Sequence, residues 1–127
     1  MDPLEDNALY GLRRLELELV VHDFVSALNG RRSAGLAEHM HPDIVFRPSH
    51  TRCAHGRESV LAVCSEIWGA FERFDVQVEQ LAVRHDMVLI EQCVLVAIDD
   101  ASPQRLLGFA SFRFAGLEIV EWRQIHA

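Results

Sequence analysis

The sequence predicts an α+β fold, with helices early in the chain and antiparallel strands late. Three observations carry that reading. Up to Phe71, apolar residues recur at helical spacing between capping and stop signals. From Phe74 onward, apolar and polar residues alternate with the period of a strand. The last stretch, GFASFRFAGLEIVEWRQIHA, reads as a β-hairpin. Helices followed by a run of strands is an α+β order.

The elements follow in sequence. Asp2-Pro3-x-Glu5 starts a helix: Asp2 caps, Pro3 fits the first helical position, and Glu5 suits the positive end of the helix dipole. Leu12, Leu15, Leu17, Val20, Val21, Phe24, Ala27 and Leu28 form its broad apolar stripe, and Asn29-Gly30 ends it. Ser33 to Met40 reads as a short second helix, stopped by Pro42. Asp43 to Ser49 is a short strand that Pro48 confines to an edge or an end. Ser49 to Gly56 is a polar loop. Arg57 to Phe71 is the third helix, with Val60, Leu61, Cys64, Ile67, Trp68 and Phe71 inward.

Phe74, Val76 and Val78 alternate with polar neighbours, and the parity then shifts to Leu81 and Val83. A β-bulge is expected near Glu79 and Gln80. Arg84, His85 and Asp86 turn the chain. Met87 to Val96 is almost wholly apolar, as befits a strand covered on both faces. Asp99 to Pro103 is a loop. In the final hairpin, Gly108, Ala110, Phe112 and Phe114 share one face. Val120, Trp122, Gln124 and His126 share the facing one. A three-residue turn at Ala115, Gly116 and Leu117 would set Ala110 opposite Trp122 and Gly108 opposite Gln124. Small residues facing large ones leave room on that side, so the hairpin is expected to floor a pocket.

Composition narrows the function. The 127 residues suit one domain with a real core. A net charge of −7 without a basic run argues against nucleic acid as a partner. All 12 basic residues are arginine, which rules out a lysine Schiff base. Cys53, Cys64 and Cys93 match no zinc or redox spacing and read as reduced thiols. The acidic N-terminus lacks the basic region of a signal peptide, and no apolar run is long enough for a membrane span. A cytoplasmic protein without membrane attachment is the expectation. His39, His41, His50 and His55 cluster in sequence but not at metal-ligand spacing, so neither a metal nor a cofactor is expected.

Four stretches, VVHDFVSALN, HPDIVFRPS, HGRESV, and GFASFRF through EWRQIHA, occur in an order that resembles the NTF2-like superfamily. That group includes SnoaL-type polyketide cyclases, ketosteroid isomerases and limonene-epoxide hydrolases. The resemblance implies a cone in which a curved, mainly antiparallel sheet wraps three helices around an apolar pocket. It also implies activities whose residues can be sought one at a time. The isomerase oxyanion tyrosine falls at Phe24, its base at Arg47 or Pro48, and its protonated aspartic acid at Ala110. The epoxide-hydrolase arginine and aspartate on the long strand fall at Gln92 and Val94. The other aspartate falls at Gln124, and the water-holding tyrosine and asparagine fall at Phe46 and Pro48. Glutamine does not titrate, so neither mechanism transfers.

The expected site therefore binds rather than reacts. Phe24, Phe46, Val94, Ala110, Phe112 and Trp122 are its candidate walls, with Gln92, Gln124 and His126 as candidate polar contacts for a small apolar ligand. Gln92 and Gln124 either meet a ligand or satisfy each other across the sheet. Trp122 is wall or plain core, and His126 is a base at the mouth or a solvated terminal residue. The alternative is an isomerase, cyclase or hydrolase with a divergent active site. Leu89, Cys93, Leu95, Leu107, Phe109 and Ile125 fall on the outward sheet face, so a homodimer through that face is expected.

Overall fold

The computed structural model describes residues 2–99 and 101–126. Asp100, within the loop expected at Asp99–Pro103, lies outside the described residues. The elements are α1 (Pro3–Asn29), α2 (Ser33–Ala37), β1 (Met40–Ser49), β2 (Arg52–His55), α3 (Arg57–Ala70), β3 (Arg73–Arg84), β4 (Met87–Ala97), β5 (Gln104–Ala115) and β6 (Glu118–His126). The strands form one six-stranded sheet in the order β2-β1-β6-β5-β4-β3. Every neighbouring pair is antiparallel except β1 with β6. The helices pack on one face. The expected α+β architecture of three helices on a mainly antiparallel sheet is what is found.

Helix α1 begins as its sequence predicts, with the Leu4 amide donating to the Asp2 carboxylate at 3.0 Å and Pro3 in the first turn. Its inward stripe is Leu17, Val21, Phe24, Val25, Ala27 and Leu28. Leu12 and Leu15 belong instead to the outer face and are half exposed. The left-handed residue that ends the helix region is Arg31, at φ 54°, whereas Gly30 stays right-handed at φ −81°. Arg31 is held there from outside the helix. Its guanidinium donates to the carbonyls of Trp68, Phe71 and Glu72 at 2.8, 2.7 and 3.0 Å, which ties the end of α1 to the end of α3.

Three boundaries differ from the sequence expectation. Helix α2 stops at Ala37, and Met40 opens β1 opposite Ile119 of β6, because backbone pairing outweighs local helix pattern there. The loop expected between Ser49 and Gly56 contains β2, whose Ala54 pairs with Phe46. The β5–β6 turn has two residues between the paired Ala115 and Glu118, not three. Gly116 supplies its positive φ of 62°. The pairing then shifts between Phe114–Ile119 and Arg113–Glu121, so Val120 is the bulged residue and Ile119 takes the buried place beside the core. As a result Phe112 faces Trp122, Ala110 faces Gln124 and Gly108 faces His126. The expected bulge in β3 is present, with Glu79 skipped between Val78 and Gln80.

The core is continuous from α1 and α3 to the inner sheet face. It holds Leu17, Phe24, Leu36, Ile44, Val60 and Trp122 among its buried members. Residues Gln92 to Ala97 of β4 are buried on both faces, but Leu89 and Glu91 are exposed, so the cover expected for the whole run from Met87 to Val96 is found only in its second half. Cys93 and Leu95 therefore drop out of the exposed outer patch. Gln77 and Leu107 flank Cys93 in the ladders, and Asp75 and Arg105 flank Leu95.

Candidate functional site

The inner sheet face is best read in rows across the strands. One row is aromatic: Phe46 of β1, Trp122 of β6 and Phe112 of β5 are ladder neighbours. Phe46 stacks on Trp122 with ring centroids 3.7 Å apart, and Phe24 of α1 meets the same indole edge-on at 5.0 Å. Next comes Gln124 beside Ala110 and Ile90, and then His126 beside Gly108 and Gln92. Further rows bring Leu106, Val94 and Val76 together, then Val96 and Phe74.

A cavity of about 280 Å³ opens over these last rows. Phe46, Pro48, Trp122 and Gln124 close one side, and Val94, Val96, Val76 and Phe74 form its floor. Leu28 at the end of α1 and Ile67 and Phe71 at the end of α3 roof it, with exposed Leu106 and His126 at the rim. One side-chain contact ties the two helices of the roof together, and another holds the roof on the floor. The Trp68 indole N–H donates to the Leu28 carbonyl at 3.1 Å. The Asn29 amide donates to the Val76 carbonyl at 2.9 Å and accepts from the Val76 N–H at 2.7 Å.

Of the residues expected at the site, Phe46, Val94, Trp122, Gln124 and His126 line this cavity. Phe24, Gln92, Ala110 and Phe112 do not. Phe24 and Phe112 fill the core around Trp122, because the α1 aromatic plugs that row. Ala110 is buried beneath the row of Gln124. The roof residues were missed by the sequence reading, since Leu28, Ile67 and Phe71 look like ordinary core. Strand alternation separates the two residues at the isomerase base position: Pro48 lines the cavity and Arg47 is exposed.

Gln92 is almost wholly buried, 1 % exposed. Its amide N–H donates to Gln124 Oε1 at 2.5 Å. The bond spans β5 diagonally, and the residues of β5 on that path are Gly108 and Ala110. The small residues are thus needed for an amide bridge. Gly108 has a second reason to lack a side chain, because a Cβ there would collide with the Ile125 carbonyl. Gln92 Oε1 and Trp122 Nε1 are buried without a hydrogen-bond partner among the described residues. Among the described residues, His126 is the only titratable one lining the cavity. Partial burial lowers its pKa, so the ring is neutral at pH 7. No carboxylate, arginine or lysine of the described residues lines the cavity.

The model of the SnoaL-like domain family matches residues 21–122. This chain belongs to the SnoaL-like domain family. Solved structures agree on the fold of this SnoaL-like domain. A putative SnoaL-like polyketide cyclase from Jannaschia sp. CCS1 superposes with a TM-score of 0.80 at 17 % identity, covering 88 % of this chain and 85 % of that one. An epoxide hydrolase of M. tuberculosis, described as LEH-like, gives 0.78 at 17 % identity over 89 % and 84 % of the two chains. A protein with a ketosteroid isomerase-like fold from Catenulispora acidiphila DSM 44928, solved with trimethylamine, gives 0.78 at 19 % identity and 85 % of each chain. No curated protein matches the sequence. At these identities the likeness speaks for the fold. Among the described residues, no helix of this SnoaL-like domain is long and apolar enough to cross a membrane.

Proposed function

We propose that this SnoaL-like domain binds a small, neutral, largely apolar molecule carrying one or two oxygens. The observation that carries the reading is the cavity lining: apolar walls, one half-buried amide at Gln124, one neutral imidazole at His126, and no charge among the described residues. A charged ligand would lose its hydration there without gaining a counter-charge. At ~30 Å³ per water, the cavity holds roughly nine waters, or a molecule of about ten non-hydrogen atoms. Phe46 and Trp122 offer flat apolar surface, and Gln124 supplies the hydrogen bond. The isomerase and epoxide-hydrolase reactions lack their groups here, since neutral His126 is the one base lining the cavity among the described residues and sits on the rim.

Calorimetric titration with 1-tetralone, an uncharged bicyclic ketone of this size, tests the reading. Binding by the wild type, weakened by Gln124→Leu, supports it. Equal or tighter binding of 1-naphthoate, or turnover of a Δ5-ketosteroid or a terpene epoxide that depends on Gln92 or Gln124, would refute it.

The outer sheet face supports a second proposal, a homodimer through that face. Leu89, Leu107, Phe109 and Ile125 are 48, 62, 57 and 54 % exposed. Phe109 pairs directly with Ile125 in the ladder, so the patch is contiguous, and Arg113, Glu121 and Arg123 border it. Sedimentation at micromolar concentration is expected to give a dimer that Phe109→Arg dissociates. A wild-type monomer would dismiss the proposal.

A further inference from the structure

We propose that Gln92, which does not touch the cavity, lets the cavity take either a carbonyl or a hydroxyl oxygen. It does so as the partner of Gln124 in an amide bridge whose sense can invert. This rests on the ligand-binding reading above and deepens it.

A primary amide offers a donor at one end and an acceptor at the other. In the structure, Gln92 gives its N–H to Gln124 Oε1. The NH2 group of Gln124 is then the half left for the cavity that Gln124 lines. In this sense the cavity offers a donor and suits a ligand carbonyl. Rotating both amides by 180° preserves the bridge, with Gln124 now donating to Gln92. Gln124 then presents its carbonyl, which accepts from a ligand hydroxyl and has nothing to offer a ligand carbonyl.

Burial does not break the tie between the two senses. As observed, Gln92 Oε1 is the buried atom without a partner. After inversion it is the Gln92 NH2 group instead. One atom group of the same amide is unsatisfied either way. The bridge is therefore an anchor of reversible polarity, and the ligand selects its sense. Gly108 and Ala110 leave the space over β5 in which both amides meet. Trp122 Nε1 is a donor only, so the reversal is confined to the two glutamines.

The prediction is concrete for three matched probes: tetralin, 1-tetralone and 1-tetralol. The wild type should bind the ketone and the alcohol within tenfold of each other, and a larger ratio would overturn the inference. Gln92→Glu, followed from pH 7 to pH 10, accepts only once the introduced carboxylate ionises. Gln124 must then turn its NH2 group to that carboxylate and its carbonyl to the cavity. The ketone-to-alcohol ratio should move at least tenfold toward the alcohol, and an unchanged ratio would overturn the proposal. A readout on the wild type alone covers the case in which the variant does not fold. The ¹⁵N side-chain amide resonance of Gln92 should shift in opposite directions on saturation with ketone and with alcohol, and the same shift with both refutes inversion. If none of the three probes binds the wild type, the ligand-binding reading itself fails and this inference falls with it. If all bind and neither ratio nor resonance responds, only the inference falls.

Discussion

Removing the Asn29 side chain should loosen the roof of the cavity by an amount the structure fixes within narrow bounds. β3 ends the sheet, so one of its edges has no strand partner. At Val76 the Asn29 amide takes the place of that strand, accepting from the N–H at 2.7 Å and donating to the C=O at 2.9 Å. Asn29→Ala deletes both bonds. Each neutral bond is worth about 1 kcal/mol net. The site is half-buried, so water reaches part of what is left, and alanine returns a few tenths through better helix propensity. The expected loss is about 2 kcal/mol, two such bonds less that return. With a urea slope of about 1.5 kcal/mol/M for a small domain, the midpoint should fall by about 1 M at unchanged slope. Asn29→Asp should be at least as damaging. It keeps the acceptor but sets a carboxylate oxygen against the Val76 carbonyl, and it adds an anion at a helix C-terminus. A loss in Asn29→Ala below ~0.5 kcal/mol, the range of an ordinary surface substitution, would refute the reasoning.

Four further outcomes are expected. Gln124→Leu should cost about 1–3 kcal/mol of stability as well as affinity, because it strands the buried Gln92 amide, and Gln92→Leu combined with it should recover most of that loss in a denaturation cycle. Gly108→Ala should destabilise by about 1–3 kcal/mol in thermal melts, since its Cβ would meet backbone of β6 that cannot swing aside. Burial pushes the Cys64 thiol up to about 12 while Cys53 alone of the three thiols is exposed, so one equivalent should react with Ellman's reagent in the folded state and three in guanidinium. His126 has a lowered folded pKa, so the unfolded chain takes up its proton first as pH falls; stability should decline from pH 6.5 down to that lower value, and His126→Gln should flatten this part of the urea-midpoint profile.

How much of this was legible in the sequence depends on which physical signal each feature leaves. Periodicity exposed the helices, the long strands and the bulge at Glu79, because one buried face imprints itself on every second or every third to fourth residue. It did not expose β2, four residues of which only Ala54 is buried. It also could not place the hairpin register. A two-residue turn and the bulge at Val120 together shift the pairing by two residues while leaving Trp122, Gln124 and His126 on the same face. The candidate list survived that shift on β6 because parity, not register, decides which side chains point inward. Register decided the rest: it set Phe112 rather than Ala110 against Trp122, and it set Ala110 beside Gln124.

What separates cavity from core is where α1 runs out. Phe24 still lies over the aromatic row and fills it against Phe112 and Trp122. One turn later Leu28 is the last buried residue of the helix, and Asn29 turns to the edge of β3. The rows of Val94 and Val96 extend past that point, so the helix has no side chain left to lay over them. The end of α3 bridges the gap only at Ile67 and Phe71, held by Arg31. Phe24 and Leu28 are both apolar, inward and four residues apart, and their sequence neighbourhoods do not tell a plug from a roof. The difference lies in the length of α1 relative to strands far from it in the chain. Lengthening the core side of that boundary should close the cavity. Leu28→Phe places a ring where the roof meets Val76 and Val94, and it should abolish 1-tetralone binding while leaving the stability loss read from the urea midpoint within the range of a tolerated overpacking change, about 1–3 kcal/mol. Undiminished binding in that variant would mean that the molecule enters elsewhere than under Leu28.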